Sequence, residues 1–180
     1  MLLWHYFINT SSQFFRCWDS DDSTGKANQT WSYEMEASAV ALEEALLVAH
    51  DLDLNMANGN PGDPEALLHV NEVMHLAASI MFYTRIRDLP STVPLIRRQV
   101  AKVQSESCCV DTNSLSSRAL VFPLFIAGCE AVDSSVRELI KQRLISCQNY
   151  DAIRAQTLVG QLEQIWELRD REPGLLYWCF

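Results

Sequence analysis

Basic residues are missing from a long stretch of this 180-residue chain. Between Glu34 and Thr84 there are nine Asp and Glu and no Lys or Arg. From Arg85 onward the two signs nearly balance, with twelve basic and eleven acidic residues, and the formal net charge is −9. Non-specific nucleic-acid affinity comes from Lys and Arg displacing counterions from the phosphate backbone. Direct nucleic-acid contact is therefore not expected from this chain. The acidic block reads first as the solvated faces of two helices, and functionally as a contact surface for a basic partner.

Other absences exclude other classes. The longest apolar runs, Val73–Tyr83 and Ala119–Cys129, fall well short of the roughly 20 residues of a membrane span, so no membrane insertion is expected. The opening MLLWHYFINTSSQFF has neither a positive n-region nor a small-residue cleavage site, which argues against a secretory signal. None of the six cysteines (17, 108, 109, 129, 147 and 179) forms a C-x-x-C pair. Cys129 and Cys147 stand among apolar neighbours, where a free thiol packs as a small hydrophobe. An intracellular, reducing compartment follows. There is no G-x-S-x-G elbow, no G-x-x-x-x-G-K-[ST] loop and no G-x-G-x-x-G, so the usual nucleophile turn and phosphate cradles are missing. Strand-like alternation is missing as well.

What is present is helical periodicity. Residues 1–33 form an aromatic-rich leader (Trp4, Tyr6, Phe7, Phe14, Phe15, Trp18, Trp31), loop-like in part through Asp19–Thr30. It reads as the remnant of a helix whose packing partners lie upstream. Residues 34–180 read as a helical domain. Met35, Ala39, Leu42, Leu46 and Ala49 share one helical face over Glu34–His50. After a loop at Asn55–Gly62, Asp63 as N-cap and Pro64 at the first helical position restart the chain. The helix they open carries Leu67, Val70, Met74, Ala77, Ala78 and Met81 on its main face. It is apolar nearly all round, so it is expected to be central.

A shorter helix over Val93–Ser105 points Leu95, Ile96, Val100 and Val103 inward and Arg97, Arg98 and Lys102 outward, with a polar loop at Glu106–Ser117 behind it. The apolar stretch Leu120–Ala131 contains Pro123, which predicts a proline-interrupted helix, and Gly128, which permits close approach of a neighbour. Ser135 with Glu138 reads as a capping box. The helix it opens is expected to bury Val136, Leu139, Ile140 and Leu144. A last helix from Asp151 aligns Ala155, Leu158, Leu162, Ile165 and Trp166, and Pro173-Gly174 stops it. The fold class is all-α, an irregular bundle of about six helices, one with an internal proline kink.

Candidate chemistry is sparse. His69 and Glu72 share a helical face, but six residues place His75 about 120° from His69, which is not the spacing of a zinc-protease pair. Asp51 and Asp53 sit at a helix end and read as solvated carboxylates. His5 and His50 have no partner suggesting a nucleophile or base. Arg97, Arg98 and Lys102 form a small basic face. No residue is assigned a catalytic, cofactor-binding or metal-ligating role, no cofactor is expected, and the chain does not read as an enzyme.

The last third carries a more specific pattern. The string Ala119-Leu-Val-Phe-Pro-Leu-Phe-Ile-Ala-Gly-Cys-Glu-Ala131, then Asp133 and Arg137-Glu138-Leu139-Ile140, leads to a closing Leu162-Glu-Gln-Ile-Trp166-Glu-Leu-Arg169-Asp170. Together these resemble the C-terminal part of the fungal-specific transcription factor domain, the regulatory region found downstream of a binuclear zinc cluster. The resemblance covers residues 34–180 and is densest at 119–170, with Phe122 where the family usually shows Trp. No zinc-cluster cysteine pattern, basic linker or coiled coil accompanies it in this sequence.

The resemblance implies a nuclear transcription regulatory protein acting through protein contacts, with other transcription regulators or a full-length relative as partners. An alternative reading places a small-molecule effector near Phe122–Gly128, beside the proline, since sites between bundle helices are a common location.

Overall fold

The computed structural model describes residues 33–57, 64–147 and 152–172. Residues 1–32 of the leader, Asp63, and the Pro173-Gly174 stop lie outside the described residues. Two compact units are formed, Met1–Leu52 and Asp53–Phe180. Among the described residues there are six α-helices and no strand, as an all-α fold requires.

Helix α1, Tyr33–Ala57, lies mostly in the first unit. Ala39 and Leu42 are buried, and Met35, Leu46 and Ala49 are half-buried, which is the face the periodicity predicts. The helix continues past His50 through Asn55 to Ala57, because Leu52, Leu54 and Met56 are better helix formers than Asn55 is a breaker.

The first helix lying wholly in the second unit is α2, Pro64–Met81, which a π-helical turn at Phe82–Ile86 continues. Of residues 65–81 only Glu65 is exposed, consistent with a central helix. In the π turn the Arg87 amide donates to the Phe82 carbonyl at 3.1 Å. Asp88 then takes a left-handed φ of 53° and lets the Leu89 amide close on Tyr83 at 2.9 Å. This is a Schellman-like ending widened by the extra residue. The Thr84 hydroxyl supports it by donating to the Ile80 carbonyl at 2.8 Å.

Val93, extended, and Pro94 at the first helical position start α3, Pro94–Cys108. Contacts of His69 with Glu106, Glu72 with Lys102 and Ser79 with Gln99 set it antiparallel to α2. The polar stretch Glu106–Ser117 is not all loop. Its first three residues finish α3, and Leu115–Leu120 form a 3₁₀ segment. Tertiary contacts override the composition here. From the next helix but one, Arg143 donates to the Ser107 and Val110 carbonyls, placing a cation on the negative end of α3. Buried Ser117 donates to the Thr112 carbonyl at 3.0 Å.

Helix α4, Val121–Glu130, follows the 3₁₀ segment directly. Pro123 stands in its first turn, where a missing N–H costs little, so the proline marks the change from 3₁₀ to α. Every residue from Pro123 to Glu130 is buried. This helix touches α2, α3 and two further helices, α5 (Ser134–Cys147) and α6 (Ala152–Arg171).

The capping box is not formed. Helix α5 already includes Ser134, its Arg137 amide donates to the Asp133 carbonyl at 3.0 Å, and Glu138 accepts from Gln142 instead. That start sets the phase of α5. Arg137, Ile140, Leu144 and Cys147 point inward, whereas Leu139 is exposed, contrary to the expectation from composition. The shared core of the second unit includes Val73, Ile80, Ile96, Val103, Leu124, Ile140, Leu144 and Leu162.

Candidate functional site

The densest polar chemistry lies at the C-terminal end of α4. Glu130, its last residue, is only 3% exposed. An ionised carboxylate buried alone would cost several kcal/mol, on the order of 5, so the fold must supply partners. It supplies three from distant parts of the chain. Arg85 in the π turn donates to Oε1 at 2.8 Å, Ser91 donates to Oε2 at 2.5 Å, and Arg169 on α6 reaches Oε2 at 3.4 Å. The two guanidiniums also sit beside the negative end of the α4 dipole.

One step further, the backbone leaves the helix with Ala131 extended at φ −67°, ψ 122°. The freed carbonyls are taken up by side chains. Gly128 accepts from the Trp166 indole at 2.8 Å as well as from the Ala131 amide at 3.2 Å. The Ala131 carbonyl accepts from Arg137 Nε at 2.9 Å. The other two nitrogens of Arg137 grip Asp170 bidentately, at 2.6 and 2.9 Å. Its guanidinium also lies 5.5 Å from the centre of the Trp166 ring, within cation–π range. The hydrogen bond from Arg137 is the main cause holding the Asp170 carboxyl below the usual carboxylate range.

Gly128 completes the junction. A Cβ there would stand 2.8 Å from Leu162 Cδ1, 3.0 Å from its Cδ2 and 3.4 Å from Ile140 Cγ2. Close approach was expected at this glycine. What approaches is two buried side chains from α5 and α6.

The two halves of the sequence pattern, 119–140 and 162–170, therefore meet in space. Glu130, Arg137, Trp166, Arg169 and Asp170 hold one another and tie α4, α5 and α6 together. Arg85 and Ser91 belong to the same cluster and carried no sequence signal, being 45 and 39 residues from Glu130.

The remaining candidates sit elsewhere. His69 pairs with Glu106 at 2.7 Å, Glu72 pairs with Lys102, and His75 is buried. Of the outward basic face, Arg97 is bound by both oxygens of Asp133 and Lys102 by Glu72, while Arg98 is exposed. His50 is half-buried on α1. His5 and the side chains of Asp51 and Asp53 lie outside the described residues. Of the stretch suggested for an effector, Phe122 is half-buried and Leu124–Gly128 are buried in the core. Cys129 and Cys147 are buried free thiols, and burial pushes Cys147 up from its usual pKa. Among the described residues no group of three His, Cys, Asp or Glu could hold a metal ion, and no helix is long and apolar enough to cross a membrane.

Comparison with protein families bears directly on the junction. The sequence matches the fungal specific transcription factor domain over residues 5–179. The chain belongs to that family. The match takes in nearly the whole chain, beginning ahead of the 34–180 region where the resemblance was read. No curated protein and no solved structure matches it. Within the pattern that carried the resemblance, Gly128, Glu130, Arg137, Trp166, Arg169 and Asp170 lock α4 to its neighbours in this transcription factor domain.

Proposed function

We propose that this chain is the regulatory module of a fungal zinc-cluster-type transcription regulator, that it works in the nucleus, and that it acts through protein contacts rather than catalysis or direct DNA contact. The family match over residues 5–179 carries this reading. Two features support it. Glu130, Arg137 and Asp170 of the family pattern are held by ion pairs that tie helices together, which gives that cluster an architectural role. The residues from Glu34 to Thr84 hold nine acids and no Lys or Arg, a charge balance suited to a basic protein surface and unsuited to phosphate. The partners proposed for these contacts are another transcription regulator or a full-length relative.

The test is a tethering experiment. Residues 1–180 are fused to an unrelated DNA-binding module and placed at a reporter in a fungal host. Reporter output should change relative to the DNA-binding module alone, and the untethered chain should give no shift of bulk duplex DNA. An unchanged reporter, or DNA binding by the chain alone, refutes the proposal.

A further inference from the structure

Helices α3 and α5 finish side by side, and a cysteine stands at the end of each. Two contacts set that geometry. At the starts of the helices Arg97 holds both oxygens of Asp133, at 3.0 and 2.9 Å. At their ends Arg143 donates to the Ser107 and Val110 carbonyls. Arg97 and Asp133 are 36 residues apart, and so are Ser107 and Arg143. The two helices therefore run parallel and in step, and their C-terminal ends meet.

Helical phase puts one thiol on each of the facing sides. Cys108 follows Arg97 by eleven residues, so it falls about 20° from it at about 100° per residue, with Gln104 on the same stripe. The Gln104 amide donates to the Cys108 sulfur at 3.4 Å. Arg97 is the residue that meets the start of α5, so Cys108 stands on the side of α3 turned towards α5. On α5, Cys147 lies one turn beyond Arg143 and about 40° round from it, and Arg143 is the residue that meets the end of α3.

The two thiols differ in access. Cys108 is exposed and Cys147 is buried, and both are free. Burial raises the Cys147 thiol above its usual pKa, while Arg143 beside it acts the other way and Cys108 adds to the rise. The two sulfurs are thus close enough to interact electrostatically. Oxidation follows exposure and thiolate character. An external oxidant therefore meets Cys108 first, and Cys147 is held back as a shielded resolving thiol.

We propose that Cys108 and Cys147 are a peroxide-responsive pair whose disulfide staples the ends of α3 and α5. The Cys108 thiolate attacks one oxygen of hydrogen peroxide. The O–O bond breaks, a sulfenic acid forms, and the departing hydroxide takes up the thiol proton as water. The Cys147 sulfur then attacks the sulfenic sulfur. An S–S bond forms, the S–O bond breaks, and the Cys147 proton leaves with the hydroxyl as a second water. Two thiols give two electrons to one peroxide. A small thiol in excess reverses the link by exchange.

The test treats the native full chain with hydrogen peroxide, blocks the remaining thiols with iodoacetamide, and maps tryptic peptides without reduction. Trypsin leaves Cys108 and Cys109 in peptide 103–118 and Cys147 in peptide 144–154. These should appear joined, two hydrogens lighter than their sum, and a reducing thiol should separate them. The joined product should fall at least ~10-fold in Cys108→Ser and in Cys147→Ala, and by less than ~2-fold in Cys109→Ser. Cys108 is exposed, so Cys108→Ser leaves the fold intact and keeps the comparison valid even where Cys147→Ala unfolds. In urea the helices no longer hold the sulfurs together, and the yield should fall at least ~3-fold as pairing spreads over the other cysteines. The linked protein should keep its helical circular dichroism and unfold at higher urea than the reduced protein.

Absence of the joined product overturns the proposal. A peptide 103–118 that loses two hydrogens by itself also does so, because Cys109 would then be the partner of Cys108. Higher oxides of Cys108 without a link, a dimer joined through Cys108, or equal yield in urea count the same way. A lower urea midpoint for the linked protein would show that the link forms only in an opened state, which overturns it as a property of the native fold.

Discussion

Gly128 and Gly160 both lie inside helices, and the same substitution is expected to act on them with opposite sign. Replacing Gly by Ala in a helix interior gains roughly 1 kcal/mol, because the unfolded chain loses freedom and the helix loses none of its bonds. At Gly160 in α6 an added Cβ meets nothing within 4 Å. Gly160→Ala should therefore stabilise by about 0.5–1 kcal/mol. At Gly128 the same methyl would lie 2.8 and 3.0 Å from the two Cδ atoms of Leu162 and 3.4 Å from Ile140.

Leu162 and Ile140 are both fully buried, so neither side chain can swing into open space. Overpacking of this kind costs roughly 1–3 kcal/mol. The helix-propensity gain is common to both sites and cancels in the comparison. The difference between the two variants therefore isolates the packing cost, about 1–3 kcal/mol. Pushing Leu162 also moves Trp166, one turn along α6, away from the Gly128 carbonyl that it now reaches at 2.8 Å. Urea unfolding followed by far-ultraviolet circular dichroism measures both variants, with Leu162→Ala combined with Gly128→Ala as the relief test. If Gly128→Ala is as stable as Gly160→Ala, or if Leu162→Ala gives no relief, the close-packing argument is wrong.

The other predictions concern charge and burial. Glu130→Ala leaves Arg85 and Arg169 without their shared carboxylate and should cost about 3 kcal/mol in urea unfolding. Replacing Arg85, Glu130 and Arg169 together with apolar residues of similar size should cost much less, and equal losses would refute the ion-cluster reading. Asp170 has a folded pKa below its usual value, so its pairing with Arg137 contributes stability above the unfolded pKa and loses it as pH falls through the folded one. The stability gap between the chain and Asp170→Asn should therefore close between about pH 5 and pH 2. It should also be small, since Asp170 is 62% exposed. A gap that widens toward acid would contradict the sign. Cys108 and Cys109 are exposed while Cys129 and Cys147 are buried. Iodoacetamide followed by peptide mass mapping should label the first pair in native protein and the second pair only in denaturant, and equal labelling rates would overturn that placement.

Periodicity made much of the helical architecture legible. The inward residues of α3 (Ile96, Val100, Val103) and the outward Arg97, Arg98 and Lys102 stand where a 3.6-residue repeat puts them. Composition failed where a long-range contact decided the outcome. Glu106–Cys108 read as loop and is helical, because Arg143, about 36 residues away, answers the terminal carbonyls. Leu139 read as core and is exposed, because the inward place on α5 is taken by Arg137. A charged residue holds it by reaching Ala131, Asp170 and the Trp166 ring at once. No local window contains that information, since the partners of Arg137 lie up to 33 residues away. The π turn escaped for the same reason. It carries Arg85, whose partner Glu130 is 45 residues downstream.

These misses share a cause that bears on why the polar cluster exists. Helix α4 is buried from Pro123 to Glu130, and an element surrounded by apolar side chains gains nearly the same transfer energy at several rotations and offsets. Hydrogen bonds and ion pairs do not share that tolerance, because a displaced donor leaves a buried polar atom unpaired at a cost of about 1–3 kcal/mol. With Glu130 held from α2's end and from α6, and the Gly128 and Ala131 carbonyls held by Trp166 and Arg137, a one-residue slip of α4 would break several such contacts together. Apolar burial thus supplies most of the stability of α4, and the polar atoms at its end select the register. That is why the buried charges of α4 gather at its terminus rather than along its apolar face.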